Sequence, residues 1–355
     1  MRRLAFLSVF TSLAGVAGAG DLDGAALRGS SGFELRPLAV PVYAADASEP
    51  YYPLDADVPV APLPVVAPLS EEIRFEVGGR FWYSTGSFAK SLFDDPRFSN
   101  NLNSRLTYSA LSGWSYELFG RVDHAGGFFL KGFFGIGSIN AGTLVDEDFP
   151  PALVPYSSTL SEQRNGRLGY VTVDYGYNLV RTPTYRVGAF VGYNYFHETV
   201  SAYGCAQTGG NPGICIPTIP TSVLGITEDA AWHSFRLGVA ADVLLFDCVR
   251  LGADAAWVPY AKLVSTDTHW LRPDIFHPVN EPGSGSGVQL EAFAAYQLNA
   301  AFSIGVGARY WRLNAKGGIE LEEAAGFPFA VPQPGTFSTE RYGLFAQAAY
   351  KFGLD

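Results

Sequence analysis

Residues 341–352, RYGLFAQAAYKF, decide the fold. Tyr342, Leu344, Ala346, Ala348, Tyr350 and Phe352 share one face, while Arg341, Gly343, Gln347 and Lys351 share the other. A period of two marks a strand whose two faces meet different surroundings. The same pattern runs through YRVGAFVGYNYFHET, with Val187, Ala189, Val191, Tyr193 and Tyr195 set against Arg186, Gly188, Gly192, Asn194 and Glu198. It recurs in LGYVTVDYGYNL, where Val171, Val173, Tyr175, Tyr177 and Leu179 oppose Thr172, Asp174 and Asn178. Small and polar residues keep returning to the second face, as they do inside a membrane barrel.

Working outward, the connections alternate in length. Short ones fall at 123–127, 180–184, 246–250 and 298–301, and long polar ones at 86–101, 140–165, 201–228, 267–286 and 315–338. These connections separate ten strands, wired as an outer-membrane barrel is, with short periplasmic turns and long outer loops. The expectation is an all-β fold: a ten-stranded antiparallel transmembrane β-barrel over 71–355, with both ends on the periplasmic side. Aromatic clusters near strand ends, such as Phe81, Trp82 and Tyr83, or Tyr310 and Trp311, fit interfacial girdles and equally fit ordinary strand aromatics. Lumen charges such as Arg80, Arg309 and Lys351 are expected to pair inside and plug the bore, which argues against a general porin. The run GSGSG at 283–287 reads as a flexible loop.

Composition agrees. The 355 residues are 48% hydrophobic and only 16% charged, enough apolar surface to exclude a disordered chain. Forty glycines, 19 tyrosines, 26 phenylalanines and a single methionine suit strands and tight turns better than long helices. A net charge of −10 argues against a nucleic-acid partner, which would need excess Lys and Arg for the phosphates.

The chain begins MRRLAFLSVFTSLAGVAGAGD: a basic start, an apolar run and a small-residue end at Ala17-Gly18-Ala19. Residues 1–20 therefore read as a secretory signal peptide, and the destination as the bacterial outer membrane. Residues 21–70 form a proline-rich periplasmic linker, with eight prolines between 36 and 70 and no periodicity. In an oxidising compartment Cys205 and Cys215, in YGCAQTGGNPGICIP, are placed to close a short loop disulfide, leaving Cys248 as an odd thiol in a turn.

Two short acidic motifs carry the candidate chemistry. GTLVDEDF places Asp146 and Asp148 two apart, and VSTDTHW does the same for Asp267 and His269, so in extended chain each pair shares a face. A carboxylate beside an imidazole fixes its tautomer and leaves the other nitrogen to take a proton from water. Two acids held together push one pKa up, so that one keeps a proton near neutrality. The bland alternative is four solvated loop residues. Strict alternation from Leu251, Ala253, Ala255 and Trp257 on the lipid side would also turn Asp267 and His269 outward. A β-bulge is needed to bring them in, and Pro259, which cannot donate to the ladder, is a place for it; Gly135, Gly137 and Gly142 offer bends before Asp146.

Through SRLTY (104–108), GTLVDEDF (142–149), YRVGAFVGYNY (185–195) and VRLGADAAWVPYAKLVSTDTHW (249–270), the chain resembles the omptins, ten-stranded outer-membrane endopeptidases. The resemblance implies catalytic roles for Asp146 and Asp148 and for the Asp267–His269 dyad, a water nucleophile, polypeptide substrates, no cofactor, and lipopolysaccharide as an activating lipid. It departs at Ser265, where omptins that cut between basic residues place an acid, and in the proline-rich segment. The alternative function is a non-enzymatic surface barrel: an adhesin, an antigen or a structural, porin-like protein.

Overall fold

A computed structural model describes residues 73–94, 99, 101–149, 154–275, 278–320 and 332–354. The expected signal peptide and linker lie outside the described residues. Ten antiparallel strands follow one another: β1 (Ile73–Phe93), β2 (Leu102–His124), β3 (Phe128–Asp148), β4 (Ser157–Arg181), β5 (Tyr185–Gln207), β6 (Ile219–Leu245), β7 (Val249–His269), β8 (Val279–Gln297), β9 (Phe302–Ile319) and β10 (Gln333–Leu354). Each pairs with its sequence neighbours, and β1 pairs with β10 to close the barrel, Ile73 standing opposite Leu354. Closure satisfies every ladder, which lipid demands because it offers no hydrogen bonds of its own.

The half of the barrel nearest the short turns carries the apolar belt. On β4 Val171, Val173, Tyr175 and Tyr177 point outward and are exposed; on β9 Phe302, Ile304 and Val306 do the same. Ile136 and Leu344 are 68% and 70% exposed, a degree of apolar exposure that belongs against hydrocarbon rather than water. Aromatic rings rim the belt's outer edge, where Trp114 packs on Phe81 and Tyr83 with ring centres 4.5 Å apart in both pairs.

Inside the belt the lumen is filled. Arg309 donates to Glu117 Oε2 at 2.7 Å and Glu291 Oε2 at 2.6 Å, and its guanidinium lies over the rings of Phe133 and Trp82 at 4.4 and 4.9 Å. Arg80 also reaches Glu117, at 2.8 Å. Nearer the periplasm Arg250 bridges Glu76 and Asp242. Such buried pairs add little net stability against a hydrophobic alternative, but losing one partner strands the other.

Three expectations need correction. Trp82 and Trp311, read as girdle residues, turn inward and are buried beside Arg309, because they fall on the lumen parity of β1 and β9. The segments read as long loops are in large part strand: β4 and β6 run for 25 and 27 residues, where crossing a membrane takes about 9–11. Beyond the belt the outer face also meets water, so polar residues occupy both faces and the alternation that betrays a strand fades. GSGSG likewise lies within β8, not in a loop. A Cβ on Gly285 would come within 1.9 Å of the Asn314 backbone oxygen, so the glycine allows β8 and β9 to approach closely there.

Candidate active site

Above the belt the inner wall is first apolar, then acidic. Phe88, Tyr108, Leu111, Leu144, Leu263 and Leu313 are buried together and form a floor over the Arg309 network. The four candidate residues stand above it because two strands change register.

On β7 the inward side chains are even-numbered as far as Ala256 and Val258, then odd-numbered from Ala261 through Leu263, Ser265 and Asp267. The pairing slips between Val258 and Ala261 against β8 and between Phe235 and Leu237 against β6, which places the irregularity at Pro259-Tyr260. Proline has no N–H to offer, so the ladder loses least by breaking at that point. Asp267 and His269 therefore face the lumen.

β3 makes the same change. Phe129 and Ile139 are buried at odd positions, Leu144 at an even one, and Asp146 and Asp148 follow Leu144 inward. The β2–β3 pairing slips between Ser109 and Gly113, opposite Gly142, whose φ is +153°; Ala110 on the partner strand has φ +52°. Asp146 pairs across the ladders with Leu106 and Thr159, Asp148 with Ser104 and Ser157. In the ring β3 and β7 are separated by β4, β5 and β6, so the two acidic pairs approach from opposing walls.

His269 Nε2 lies 2.7 Å from Asp267 Oδ2. The histidine side chain keeps 19% exposure and the aspartate 4%, so the imidazole looks toward the mouth and the carboxylate is covered beneath it. The same Oδ2 accepts a hydrogen bond from Lys90 Nζ, which also donates to Glu281 Oε1 at 2.7 Å and Glu228 Oε2 at 2.9 Å. Ser265 Oγ donates to Glu228 Oε1 and to the Asp229 backbone oxygen. Three carboxylates, each with an oxygen within 4.8 Å of the others, thus surround one buried ammonium. Lys90, Glu228 and Glu281 were not singled out from sequence. They belong to β1, β6 and β8 and carry no shared motif, and only barrel closure brings them together.

These groups lie beyond the apolar belt, and their protonation follows from burial and from one another. Burial first, and Asp148 second, push Asp146 up to about 7, against the pull of His269 and Lys90. Asp148 is raised by burial, with Ser104, Arg272 and His269 opposing. Burial would raise Asp267, but Lys90 and His269 hold it far below the carboxylate range. Burial would lower His269, yet Asp267 keeps it above its ordinary value. Burial and the neighbouring Glu281 raise Glu228. At neutral pH the site therefore holds an ionised aspartate under an imidazole, facing a carboxyl that is about half protonated.

Other sequence candidates separate. Cys205 and Cys215 form a disulfide that ties the end of β5 to the segment after it, and Cys248 is a free thiol in the turn before β7. His197 turns outward to Asp229 at 3.0 Å, while its neighbour Glu198 turns inward to Arg341 and Thr339, as the alternation of β5 requires.

No family model and no curated protein matches the sequence. Among solved structures, the outer membrane protease OmpT from Escherichia coli is similar over 79% of this chain and 97% of its own, with a TM-score of 0.66 at 13% identity. The outer membrane protein OprG from Pseudomonas aeruginosa covers 79% of this chain and 96% of its own at TM-score 0.31 and 10% identity; the translocator domain of the autotransporter NalP from Neisseria meningitidis covers 78% and 88% at TM-score 0.32 and 9% identity. The fold of this chain is that of the bacterial outer-membrane β-barrels.

Proposed function

We propose that this chain is an omptin-like endopeptidase of the bacterial cell surface, with the barrel in the outer membrane and the acidic mouth as its active site. The observation that carries the reading is the buried Asp267–His269 pair, 2.7 Å apart, set across the lumen from an aspartate pair in which Asp146 is pushed up to about 7. An ionised carboxylate holding an imidazole and a second carboxyl that keeps its proton supply a base and a donor at one pH.

In this reading His269, oriented through Nε2 by Asp267, accepts a proton from water at Nδ1. The hydroxide forms a bond to the scissile carbonyl carbon, and the carbonyl oxygen takes up the displaced electron pair. Protonated Asp146 donates a hydrogen bond to that oxyanion, while Asp148 positions the water. His269 then passes its proton to the amide nitrogen as the oxyanion's electron pair re-forms the C=O bond and the C–N bond breaks, leaving a carboxylic acid and an amine, between which the acid proton passes to give a carboxylate and an ammonium. Lipopolysaccharide is the lipid partner this reading adopts from the resemblance. A preference for basic residues is not part of it, because Lys90 already neutralises Glu228 and Glu281 beside Ser265.

The test uses barrel refolded with lipopolysaccharide, an unbiased peptide library and a His269→Ala barrel beside it. Cleavage that vanishes in the variant supports the endopeptidase. Absence of cleavage by the native protein, in conditions where a known omptin cuts, moves the assignment to a non-enzymatic surface barrel.

A further inference from the structure

We propose that Lys90 is a positioning residue of this site, gripping Asp267 so that Asp267 presents the His269 ring to water. The inference rests on the endopeptidase reading and adds a residue to it. Lys90 is 4% exposed, and its ammonium is shared by carboxylates from β6, β7 and β8. Asp267 makes both of its close contacts through Oδ2, to Lys90 and to His269, while Oδ1 is buried with no hydrogen-bond partner among the described residues. A carboxylate held at one oxygen by two donors cannot turn without breaking one contact or the other. Remove the ammonium and that restraint goes, while Glu228 and Glu281, the latter with an Oε2 that has no hydrogen-bond partner among the described residues, repel Asp267 directly.

The charges around His269 are Asp267 on its own strand, Lys90 on β1, Asp146 and Asp148 on β3, Glu228 on β6, Glu281 on β8, and Arg272 just after β7. The phenol of Tyr108 on β2 sits among the same charges. Lys90 opposes protonation of the imidazole. Without it the surrounding acids hold the histidine proton more tightly, and a base that keeps its proton is lost to catalysis until the pH is higher.

The experiment is an NMR titration of labelled His269 in the refolded native barrel, in Lys90→Met, in Lys90→Arg and in the Lys90→Met/Glu281→Gln double variant, with peptide cleavage followed against pH in the same samples. The double variant removes one charge of each sign and guards against a single variant that fails to fold. The expected result in Lys90→Met is a His269 midpoint raised by about one pH unit or more. The acid limb of the cleavage profile moves with it, and kcat falls by at least about tenfold while KM changes little. Lys90→Arg returns the midpoint toward the native value, and the double variant lies between. A Lys90 that serves only as a strut between strands would weaken the barrel and leave the His269 midpoint and acid limb of the folded protein where they were, and that outcome overturns the proposal. The two readings fail separately: a silent native barrel sinks the endopeptidase, whereas an unmoved His269 midpoint sinks the role of Lys90 whatever the cleavage result.

Discussion

Replacing Asp146 by asparagine should make the barrel more stable at pH 8 and leave it nearly unchanged at pH 4. In the folded protein the carboxyl titrates at about 7, against an ordinary value of 3.8. Between those two values the native state holds a proton that the unfolded chain has released, so stability falls as pH rises from about 4 to about 7. The gap is about three pH units, and at roughly 1.4 kcal/mol for each it sets a ceiling of about 4 kcal/mol. Asp146 is only partly covered by its neighbours, and water at the mouth screens the penalty, so a gain of about 2 kcal/mol is the working expectation. Asparagine cannot ionise and escapes the cost. Two neighbours temper the difference without reversing it. Asp267, held low, contributes stability that is already complete above about pH 4 and is the same in both proteins. His269, held high, contributes stability that fades as pH rises through its folded value, somewhat earlier once Asp146 no longer supports its charge. The assay is equilibrium urea unfolding of native and Asp146→Asn barrels in lipid vesicles at pH 4.5, 6 and 8. A stability difference that stays flat across that range would refute the reasoning, since it would mean that Asp146 is not a desolvated acid.

Two further substitutions test the architecture. Val306→Arg places a charge at a belt position that is 64% exposed, and should cost about 2–4 kcal/mol, read as lost yield of heat-modifiable folded barrel on electrophoresis after refolding into vesicles. Arg309→Met strands Glu117 and Glu291 in the lumen and should cost about 3–5 kcal/mol in urea unfolding, with part of the loss recovered when Glu117→Gln is added.

How much of this was legible in the sequence depended on what each face of a strand met. In RYGLFAQAAYKF and LGYVTVDYGYNL one face meets lipid and the other the lumen, so alternation is sharp and β10 and β4 could be read directly. The outer parts of the strands have water on one side and a partly polar wall on the other, and there residues 140–148 of β3 and 267–269 of β7 read as loop. The site was half legible for a related reason. Asp146 with Asp148, and Asp267 with His269, are spaced two apart and so announce a shared face. Lys90 lies 177 residues from Asp267 and 191 from Glu281, and a single inward charge on each of four strands has no spacing to detect. Pro259 could be named as a place for β7 to bend because a missing N–H is visible in a sequence. On β2 the corresponding left-handed residue is Ala110, whose side chain gives no sign of it.

The irregularity at Pro259-Tyr260 makes the competence of the mouth a matter of parity. Deleting one residue between Val258 and Ala261 would alter neither the belt nor the net charge by much, yet it would carry Ser265, Asp267 and His269 together to the outside of the wall. Inserting one would do the same. On this strand a change in length acts as a spatial frameshift, and chains that keep the site can vary what stands at 259 and 260 far more freely than how many residues stand there.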